Sequence, residues 1–102
     1  MRYKIHITDH ALADLTDAFE YIQRDSPQNA RAMIARIVDA IDDLDFMPTR
    51  FKIAGISRTK QSPVHSRVVR PFAVYYRVDE SEKRVFILEV RHGAQRPKSE
   101  FD

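Results

Sequence analysis

The sequence contains no cysteine and no long apolar run, and each absence excludes a class of function. Without cysteine the chain forms no disulfide, offers no thiolate to a metal ion and has no cysteine nucleophile. No apolar segment approaches the roughly 20 residues that a membrane-spanning helix needs. The first residues, Met-Arg-Tyr-Lys-Ile, lack the apolar core of a signal peptide. We therefore expect a cytoplasmic protein without a membrane partner.

Acidic residues are missing from the middle of the chain. Nine occur between Asp9 and Asp45, but none occurs between Phe46 and Val78. The net charge of +2 conceals this segregation. A basic segment without acids favours an anionic partner, either nucleic acid or an acidic protein segment, over a loop whose charges only keep it soluble. The seven basic residues of the segment are Arg50, Lys52, Arg58, Lys60, Arg67, Arg70 and Arg77.

The remaining composition is typical of a folded domain. The chain has 102 residues, of which 43% are hydrophobic and 31% charged, and this suffices for one domain with a modest core. No internal repeat or low-complexity tract occurs. We predict a single domain over residues 1–102, with an irregular C-terminal tail at 93–102. In that tail Phe101 is either clasped onto the domain or disordered.

Histidine is the only residue type of this chain that titrates near neutral pH. The four histidines lie at positions 6, 10, 65 and 92. His6 and His10 have an i, i+4 spacing, but they straddle a predicted strand-to-helix junction and so do not share a helix face. We therefore predict no metal site and no cofactor.

The stretch 66–92 predicts three strands, at 66–70, 72–78 and 84–92. The last two form a hairpin, and pairing Val78 with Arg84 makes one sheet face wholly apolar; a slip of one residue would destroy this pattern. The facing pairs on the apolar side are then Tyr76 with Phe86, Val74 with Leu88, and Phe72 with Val90. The opposite face carries Tyr75, Arg77, Glu89 and Arg91, flanked by Val85 and Ile87.

The N-terminal part predicts a strand followed by a helix. Alternation of apolar residues indicates a short strand at 2–8, and Thr8 is the expected N-cap of a helix over 9–24. The apolar stripe of this helix is formed by Leu12, Leu15, Phe19 and Ile22.

A second helix begins at once. Ser26 is its expected N-cap and Pro27 suits its first position, so the helix spans 27–46 and is ended by Pro48. The short break makes the two helices an antiparallel hairpin. From 49 to 65 the sequence predicts an irregular basic loop. The apolar stripe of the second helix is formed by Ala30, Ile34, Ile37, Ile41 and Leu44.

Together these elements predict a two-layer α+β domain. An N-terminal strand and an antiparallel helical hairpin pack on a small, mainly antiparallel sheet that ends in a three-stranded meander. Several short motifs occur in order within these elements: Asp14-Leu15, Tyr21-Ile22, Ser26-Pro27 with Ala30, Leu44 to Pro48, Arg67-Val68-Val69, Phe72 to Val78, and Ile87 to Gly93. The ordered set, which covers nearly the whole chain, resembles the toxins of the RelE/ParE superfamily, also called plasmid stabilisation system proteins.

The resemblance implies the toxin of a type II toxin–antitoxin pair, neutralised by a cognate antitoxin encoded beside it. RelE-like members cut messenger RNA in the ribosome, whereas ParE-like members poison DNA gyrase and hydrolyse nothing. RelE-like nucleases usually carry a tyrosine or a clear acid–base group where the last strand ends. Here that position reads Arg91-His92-Gly93-Ala94, which is similar to the ParE-type ending. We therefore favour a gyrase inhibitor, with a ribosome-dependent endoribonuclease as the alternative and a degenerate toxin that only binds a partner as the third interpretation.

A metal-free nuclease site could be assembled from this sequence. Such a site activates the 2′-OH, stabilises the phosphate and protonates the leaving oxygen. His92, or less favourably His65, would serve as the acid–base group, while Arg67 and Arg91 would contact the phosphate. The predicted register, however, puts His92 on the apolar side of the sheet and away from Arg91. We therefore favour a structural role for His92 and predict no catalytic residue.

Two binding surfaces are predicted. The target, DNA gyrase or the ribosome with its mRNA, would be bound by Tyr75, Arg77, Arg91 and Arg96. The antitoxin would be bound by Arg67, Arg70 and Arg77. We expect the antitoxin segment to be acidic and amphipathic, to fold on binding and to form a hetero-oligomer with the toxin. The alternative is that Arg67 and Arg91 simply pair with Glu89 across the strands.

Overall fold

Two helices cover one face of a six-stranded mixed sheet in the computed structural model, which describes residues 2–93 and 100–101. In chain order the elements are β1 (Lys4–Ile7), α1 (Asp9–Gln23), α2 (Pro27–Asp42), β2 (Ile53–Ser57), β3 (Pro63–Val69), β4 (Phe72–Asp79), β5 (Arg84–His92) and β6 (Glu100–Phe101). Across the sheet the order is β1-β5-β4-β3-β2-β6. β1 is parallel to β5 and β2 to β6, whereas the other neighbours are antiparallel. The predicted α+β class with an antiparallel β3-β4-β5 meander is confirmed.

The predicted helix starts are correct. The Thr8 hydroxyl accepts a hydrogen bond from the N–H of Ala11 at 3.3 Å, and the Ser26 hydroxyl accepts one from Asn29 at 3.2 Å. Pro27 occupies the first position of α2. Each cap satisfies an N–H that has no partner within its helix, which contributes about 1 kcal/mol. Local chemistry therefore fixes where both helices begin.

The predicted stripe of α1 is partly wrong. Leu15 is buried as expected, but Leu12 is 55% exposed, and the inward positions beside Leu15 are Ala11 and Ala18. These small residues bring α1 close to the sheet, and Leu12, one position after Ala11, is rotated towards solvent. The stripe of α2 is correct, since Ile37, Ile41 and Leu44 are fully buried.

The predicted register of the β4–β5 hairpin is wrong. Val78 pairs with Val85 rather than Arg84, and Phe72 pairs with His92 rather than Val90. A β-bulge leaves Leu88 unpaired between the Tyr76–Ile87 and Tyr75–Glu89 pairs. Because four consecutive apolar residues (85–88) lack alternation, the sequence does not indicate which of them face the core. The core-facing side chains of β5 are Val85, Ile87 and Val90, while Phe86 and Leu88 do not belong to the core.

The segment 49–65 is more regular than predicted. It contains β2 and the first three residues of β3. Ile53 and Ile56 of β2 are 62% and 45% exposed. Because its apolar residues do not all face the core, β2 lacks the alternation of apolar and polar residues by which a strand is predicted from sequence. The helix predicted to 46 ends at Asp42 and is followed by two 3₁₀ turns, Asp43–Asp45 and Pro48–Arg50. The first strand is also shorter than predicted, at Lys4–Ile7.

Part of the predicted irregular tail forms a strand. β6 pairs with β2, and the N–H of Arg58 donates to the carbonyl of Phe101 at 2.7 Å. The Phe101 side chain is 1% exposed, and its ring centroid lies 5.0 Å from that of Tyr75. Phe101 is therefore clasped onto the domain. Residues 94–99 and 102 lie outside the described residues.

No helix in the described part of the chain is long and apolar enough to cross a membrane.

Candidate functional site

Arg67 ties strand β3 to the end of helix α2. Its guanidinium donates to the Ala40 carbonyl at 3.0 Å and to the Asp43 carboxylate at 2.7 Å, and it lies 4.7 Å from the centre of the Phe51 ring. The hydrogen bond from Arg67, assisted by the charge of Arg50, holds the pKa of Asp43 below its usual range. The alternative of a pair between Arg67 and Glu89 is wrong, because Arg67 pairs with Asp43. Arg67 thus has a structural role whatever it binds.

Arg50 contacts the same Phe51 ring and the same carboxylate as Arg67. Its guanidinium carbon lies 4.7 Å from the centre of the Phe51 ring, and its Nη2 donates to Asp43 at 2.5 Å. It also donates to the carbonyls of Phe46 and Met47. Phe51 therefore contacts two guanidinium groups that share one carboxylate, and these contacts fix the path from α2 to β2.

Tyr76 and His65 complete this anchoring under the connection. The Tyr76 hydroxyl donates to the Pro48 carbonyl at 2.5 Å, and burial raises the pKa of Tyr76 to about 12. The His65 ring stacks on Tyr76 with centroids 5.4 Å apart, and its Nδ1 lies 2.9 Å from the Phe51 carbonyl. Both groups are buried and occupied, so neither is placed to act as an acid or base on a bound substrate.

A groove of about 800 Å³ runs between α2 and β3. We call it the α2–β3 groove; its lining residues include Arg36, Asp43, Arg67, Val68 and Arg70. Among the side chains that the structure describes, no carboxylate forms an ion pair with Arg36 or Arg70. β2 pairs with β3 as far as His65, and the N–H of Ser66 donates to the Lys52 carbonyl at 2.9 Å. Beyond Ser66 no strand in the described part of the chain pairs with the outer edge of β3. Two unpaired arginines beside an open strand edge suit an anionic peptide segment.

A second, more apolar depression lies where the helical hairpin opens over β5. Two adjoining cavities of about 360 and 370 Å³ share Tyr21, Phe72 and His92 as walls. Tyr21 is 65% exposed. The His92 ring meets Phe72 edge-on, with centroids 5.3 Å apart, so His92 lies on the helix-facing side of the sheet. We call this depression the hairpin-end groove.

The sheet face opposite the helices, here the far face, carries the predicted target-binding residues Tyr75, Arg77 and Arg91. The Tyr75 ring is partly covered by Phe101, and Arg91 lies 3.5 Å from Glu89 on the same strand. The guanidinium carbon of Arg77 lies 4.2 Å from the centre of the Phe86 ring. In the part of the chain that the structure covers, Arg77 pairs with no carboxylate.

Of the three residue sets predicted from the sequence, for the target, the antitoxin and a nuclease site, the structure brings together only the first. Tyr75, Arg77 and Arg91 share the far face, while Arg96 lies outside the described residues. The set predicted for the antitoxin divides, because Arg67 and Arg70 line the α2–β3 groove and Arg77 lies on the far face. The nuclease set also divides, since the adjacent residues Arg91 and His92 point to opposite faces of β5.

Asp14 was not predicted to have a role. Its carboxylate accepts a hydrogen bond from the N–H of Val90 at 2.9 Å and lies 3.5 Å from Nε2 of His10. Burial raises the pKa of Asp14. Its position three residues after Ala11 and four before Ala18 was the available signal, because these spacings place it on the inward face of α1. Arg36 and Lys60 were likewise not selected from the sequence, since their surroundings come from distant segments.

No group of three or more metal-binding side chains occurs within residues 2–93 and 100–101. The arrangement offers cationic, aromatic and apolar surfaces, and His6, His65 and His92 pack against aromatic rings. Chemically, these are features of recognition surfaces.

The chain is similar to known toxins over most of its length. Residues 5–97 match the family described as the ParE toxin of the type II toxin–antitoxin system, parDE. Toxin RelE2 of Caulobacter vibrioides is 36% identical over 88 residues, which are 86% of this chain and 92% of that protein.

Solved toxin–antitoxin systems share the fold. The chromosomal ParDE system from P. aeruginosa matches with a TM-score of 0.68 and 23% identity over 89% of this chain and 96% of that one. The RelBE2 toxin–antitoxin complex from Mycobacterium tuberculosis matches with a TM-score of 0.61 and 24% identity, over 90% of this chain and 99% of that one. The archaeal RelE–RelB complex from Pyrococcus horikoshii matches with a TM-score of 0.65 and 18% identity, over 94% of this chain and 100% of that one. With a family match that spans residues 5–97, the chain belongs to the ParE toxin family of type II toxin–antitoxin systems, within the RelE/ParE superfamily.

Proposed function

We propose that this toxin inhibits growth in the cytoplasm by binding DNA gyrase, without catalysing hydrolysis, and that its antitoxin neutralises it. The observation that carries the proposal is the separation of the acid–base candidate from its arginine. His92 packs against Phe72 under the helices, whereas Arg91 lies beside Glu89 on the far face. A phosphate bound by Arg91 is therefore out of reach of His92.

The other groups that could replace His92 are occupied. His65 is stacked on Tyr76 and bonded to the Phe51 carbonyl. The Tyr76 hydroxyl donates to Pro48, and burial raises its pKa to about 12, far from the neutral range that general acid–base catalysis needs. The RelE-like alternative, a ribosome-dependent mRNA endoribonuclease, is retained because a relative at 36% identity is named Toxin RelE2.

The target surface in this proposal is the far face, with Tyr75, Arg77, Arg91 and Arg96. Arg77 is the strongest of these candidates, since it is half-buried and has no carboxylate partner among the described residues. Tyr75 contributes an aromatic edge beside Phe101. Aromatic residues and arginine are enriched among the residues that dominate binding energy at protein interfaces. The same binding would underlie a role in plasmid stabilisation.

The antitoxin surface in this proposal is the α2–β3 groove, together with the hairpin-end groove. Arg67 and Arg70 supply positive charge in the first, and the exposed Tyr21 supplies apolar surface in the second. The similar structures were solved as toxin–antitoxin systems, which supports a hetero-oligomer. An acidic, amphipathic segment that orders on binding suits both grooves. Arg77 lies apart from them and is the weakest member of the antitoxin set.

The test compares DNA supercoiling by purified gyrase with translation-coupled mRNA cleavage, each in the presence of the toxin. We expect gyrase inhibition and intact mRNA. Arg77→Glu should weaken the inhibition by about tenfold or more, because charge reversal removes a partly desolvated contact. The matched control is Arg31→Glu, at an exposed position of α2, which should have no effect on gyrase inhibition. Ribosome-dependent mRNA fragments with unaffected gyrase would replace this function by the endoribonuclease.

A further inference from the structure

A small cavity on the far face brings together two cations from separate parts of the chain. It measures about 300 Å³, and its lining includes Lys60 of the β2–β3 turn, Arg77 of β4, and Phe86 and Leu88 of β5. Among the side chains that the structure describes, no carboxylate forms an ion pair with either cation. Two like charges at one small cavity repel each other, so the cavity favours an anionic group that neutralises both.

Two carboxylates close to Arg77 in the β4–β5 hairpin have other partners. Glu89, which also lines the cavity, is 7% exposed and lies 3.5 Å from Arg91. Asp79, two residues after Arg77, accepts a hydrogen bond from the Ser81 hydroxyl at 2.8 Å. This bond, with a smaller contribution from the charge of Arg77, holds the pKa of Asp79 below its usual range. Neither carboxylate therefore takes the place of an external anion at the two cations.

Arg77 is held in position before a partner binds. Its guanidinium carbon lies 4.2 Å from the centre of the Phe86 ring, and the His6 ring packs edge-on against Phe86 with centroids 5.4 Å apart. The contact with Phe86 restrains a long side chain, so less conformational entropy is lost on binding. A guanidinium presents two parallel N–H groups to one carboxylate, and arginine is enriched among the residues that dominate binding energy at protein interfaces.

Lys60 extends from a turn whose backbone is fixed by hydrogen bonds. Its N–H donates to the Ser57 hydroxyl at 3.1 Å, and the N–H of Gln61 donates to the Ser57 carbonyl at 2.9 Å. Ser57 is fully buried, so the turn is anchored to the folded domain. Lys60 itself is exposed, and a partner therefore reaches its ammonium group without rearrangement of the backbone.

The shape of this cavity suits a single acidic side chain better than a nucleic-acid strand. Such a strand carries a phosphate at every nucleotide, and proteins that bind it without base specificity offer a cationic groove that follows the backbone. Here two cations converge on one small cavity beside the buried carboxylate of Glu89, which would repel a succession of phosphates. The rings and methyl groups of Phe86 and Leu88 suit the methylene groups of an aspartate or glutamate.

We propose that this cavity binds an aspartate or glutamate side chain on the surface of the target protein. The carboxylate lies between Lys60 and Arg77, and its methylene groups pack on Phe86. This inference rests on the proposed function, because the acidic residue belongs to a gyrase subunit. It adds Lys60 to the target surface and specifies the chemical group that the target presents there.

The first test measures gyrase inhibition by Lys60 variants of the full chain. Lys60→Gln should weaken the inhibition about tenfold, because the partner carboxylate loses one of its two cations. Lys60→Arg keeps the positive charge and should retain most of the inhibition. The matched control Lys52→Gln removes an exposed charge from the same basic segment, outside the cavity, and should have no effect. The thermal midpoints of all three variants should equal that of the wild type, since both positions are exposed.

Carbodiimide cross-linking of the toxin–gyrase complex identifies the group that Lys60 meets. The reagent activates a carboxylate, the lysine amine attacks the activated carbonyl carbon, and a urea leaves, so that an amide bond joins groups that were in contact. We expect mass spectrometry to find the peptide containing Lys60 linked to an aspartate or glutamate of gyrase. The link should be absent from the complex of Lys60→Arg.

The possible results distinguish a failure of this inference from a failure of the proposed function. Gyrase inhibition that Lys60→Gln weakens no more than Lys52→Gln would overturn the inference alone. A gyrase complex in which other lysines are cross-linked but Lys60 is not would do the same. If Lys60→Gln weakened the binding of single-stranded RNA but not of gyrase, the cavity would be assigned to nucleic acid and the inference overturned. A toxin that does not inhibit gyrase at all would overturn the proposed function, and the acidic partner with it.

Discussion

The carboxylate of Asp14 accepts a hydrogen bond from the backbone N–H of Val90 at 2.9 Å, joining helix α1 to the exposed edge of β5. β1 accompanies β5 only as far as the Ile7–Ile87 pair, so beyond that point the outward backbone groups of β5 lose their strand partner. The Asp14 side chain of α1 accepts the hydrogen bond that a neighbouring strand would otherwise accept from Val90. The helix is thereby fixed relative to the hairpin-end groove, which Asp14 also lines.

Replacing Asp14 should therefore destabilise the protein through Val90. Asp14→Ala leaves this N–H without its acceptor and should lower the free energy of unfolding by about 1–3 kcal/mol. Asp14→Asn retains a carbonyl acceptor and should cost less. Chemical denaturation of both variants measures the difference. If Asp17→Ala, the nearby exposed control, were as destabilising as Asp14→Ala, the hydrogen bond to Val90 would not be the cause.

The titration of Asp14 should also be visible in the pH dependence of stability. Burial raises the pKa of Asp14 above its ordinary value of 3.8, so near that pH the folded state binds more protons than the unfolded state. The stabilisation that comes from this difference in pKa is therefore fully present below pH 3.8 and is lost as the pH rises through the folded pKa of Asp14. Relative to the wild type, Asp14→Asn should gain stability as the pH rises through this window. A difference between the two proteins that does not vary with pH would contradict the raised pKa.

Leu12 and Leu15 provide a matched pair for testing the orientation of α1. Leu15 is buried in the core, whereas Leu12 is 55% exposed. Leu15→Ala should lower the free energy of unfolding by about 2–5 kcal/mol because it leaves a cavity. Leu12→Ala should change it by about 0.5 kcal/mol or less in the isolated chain. Comparable losses from the two variants would place Leu12 in the core as well.

The sequence could predict those parts of the fold that depend on neighbouring residues. Thr8, Ser26 and Pro27 mark the helix starts by local capping chemistry, and the structure agrees. The β5 register could not be predicted, because the run around Leu88 contains no alternation and the bulge is specified by tertiary packing. β2 was missed for a related reason, since Ile53 and Ile56 remain exposed.

The candidate site divides in the same way. Alternation along β4 correctly put Tyr75 and Arg77 on one face, because a strand enforces a period of two. The partner of Arg67 was not predictable, since Asp43 lies 24 residues away in sequence and meets it only after α2 packs on the sheet. Lys60 meets Arg77 at a cavity of about 300 Å³ only because β2 pairs with the start of β3, and these residues fall within the segment 49–65 that was predicted to be a loop.

His92 provides a direct test of the nuclease alternative. Since its ring packs against Phe72 and Arg91 faces away from it, His92→Ala should leave growth inhibition largely unchanged. Loss of the ring contact should cost some stability, so the thermal midpoint must be measured alongside toxicity. A variant that keeps its thermal midpoint but loses toxicity, with mRNA fragments disappearing at the same time, would establish His92 as catalytic.

The charge of the α2–β3 groove should control how fast the antitoxin associates. Arg36 and Arg70 line the groove and have no carboxylate partner among the described residues, so they are free to attract an acidic segment. Arg67 is unsuitable for this test, because a glutamate there would face Asp43 and break the anchor of β3. Replacing both Arg36 and Arg70 by Glu should slow association with the antitoxin.

The physical signature of this effect is its dependence on salt. Long-range attraction between exposed charges is screened over about 10 Å at 0.1 M salt, so the loss in association rate should be large at low salt and small at high salt. The dissociation rate should change less, because apolar anchors in the hairpin-end groove, such as those contacting Tyr21, determine the residence time. Arg31→Glu, on α2 outside the groove, serves as the control. Stopped-flow association rates that respond to neither the double reversal nor salt would exclude this groove as the surface that the antitoxin meets first.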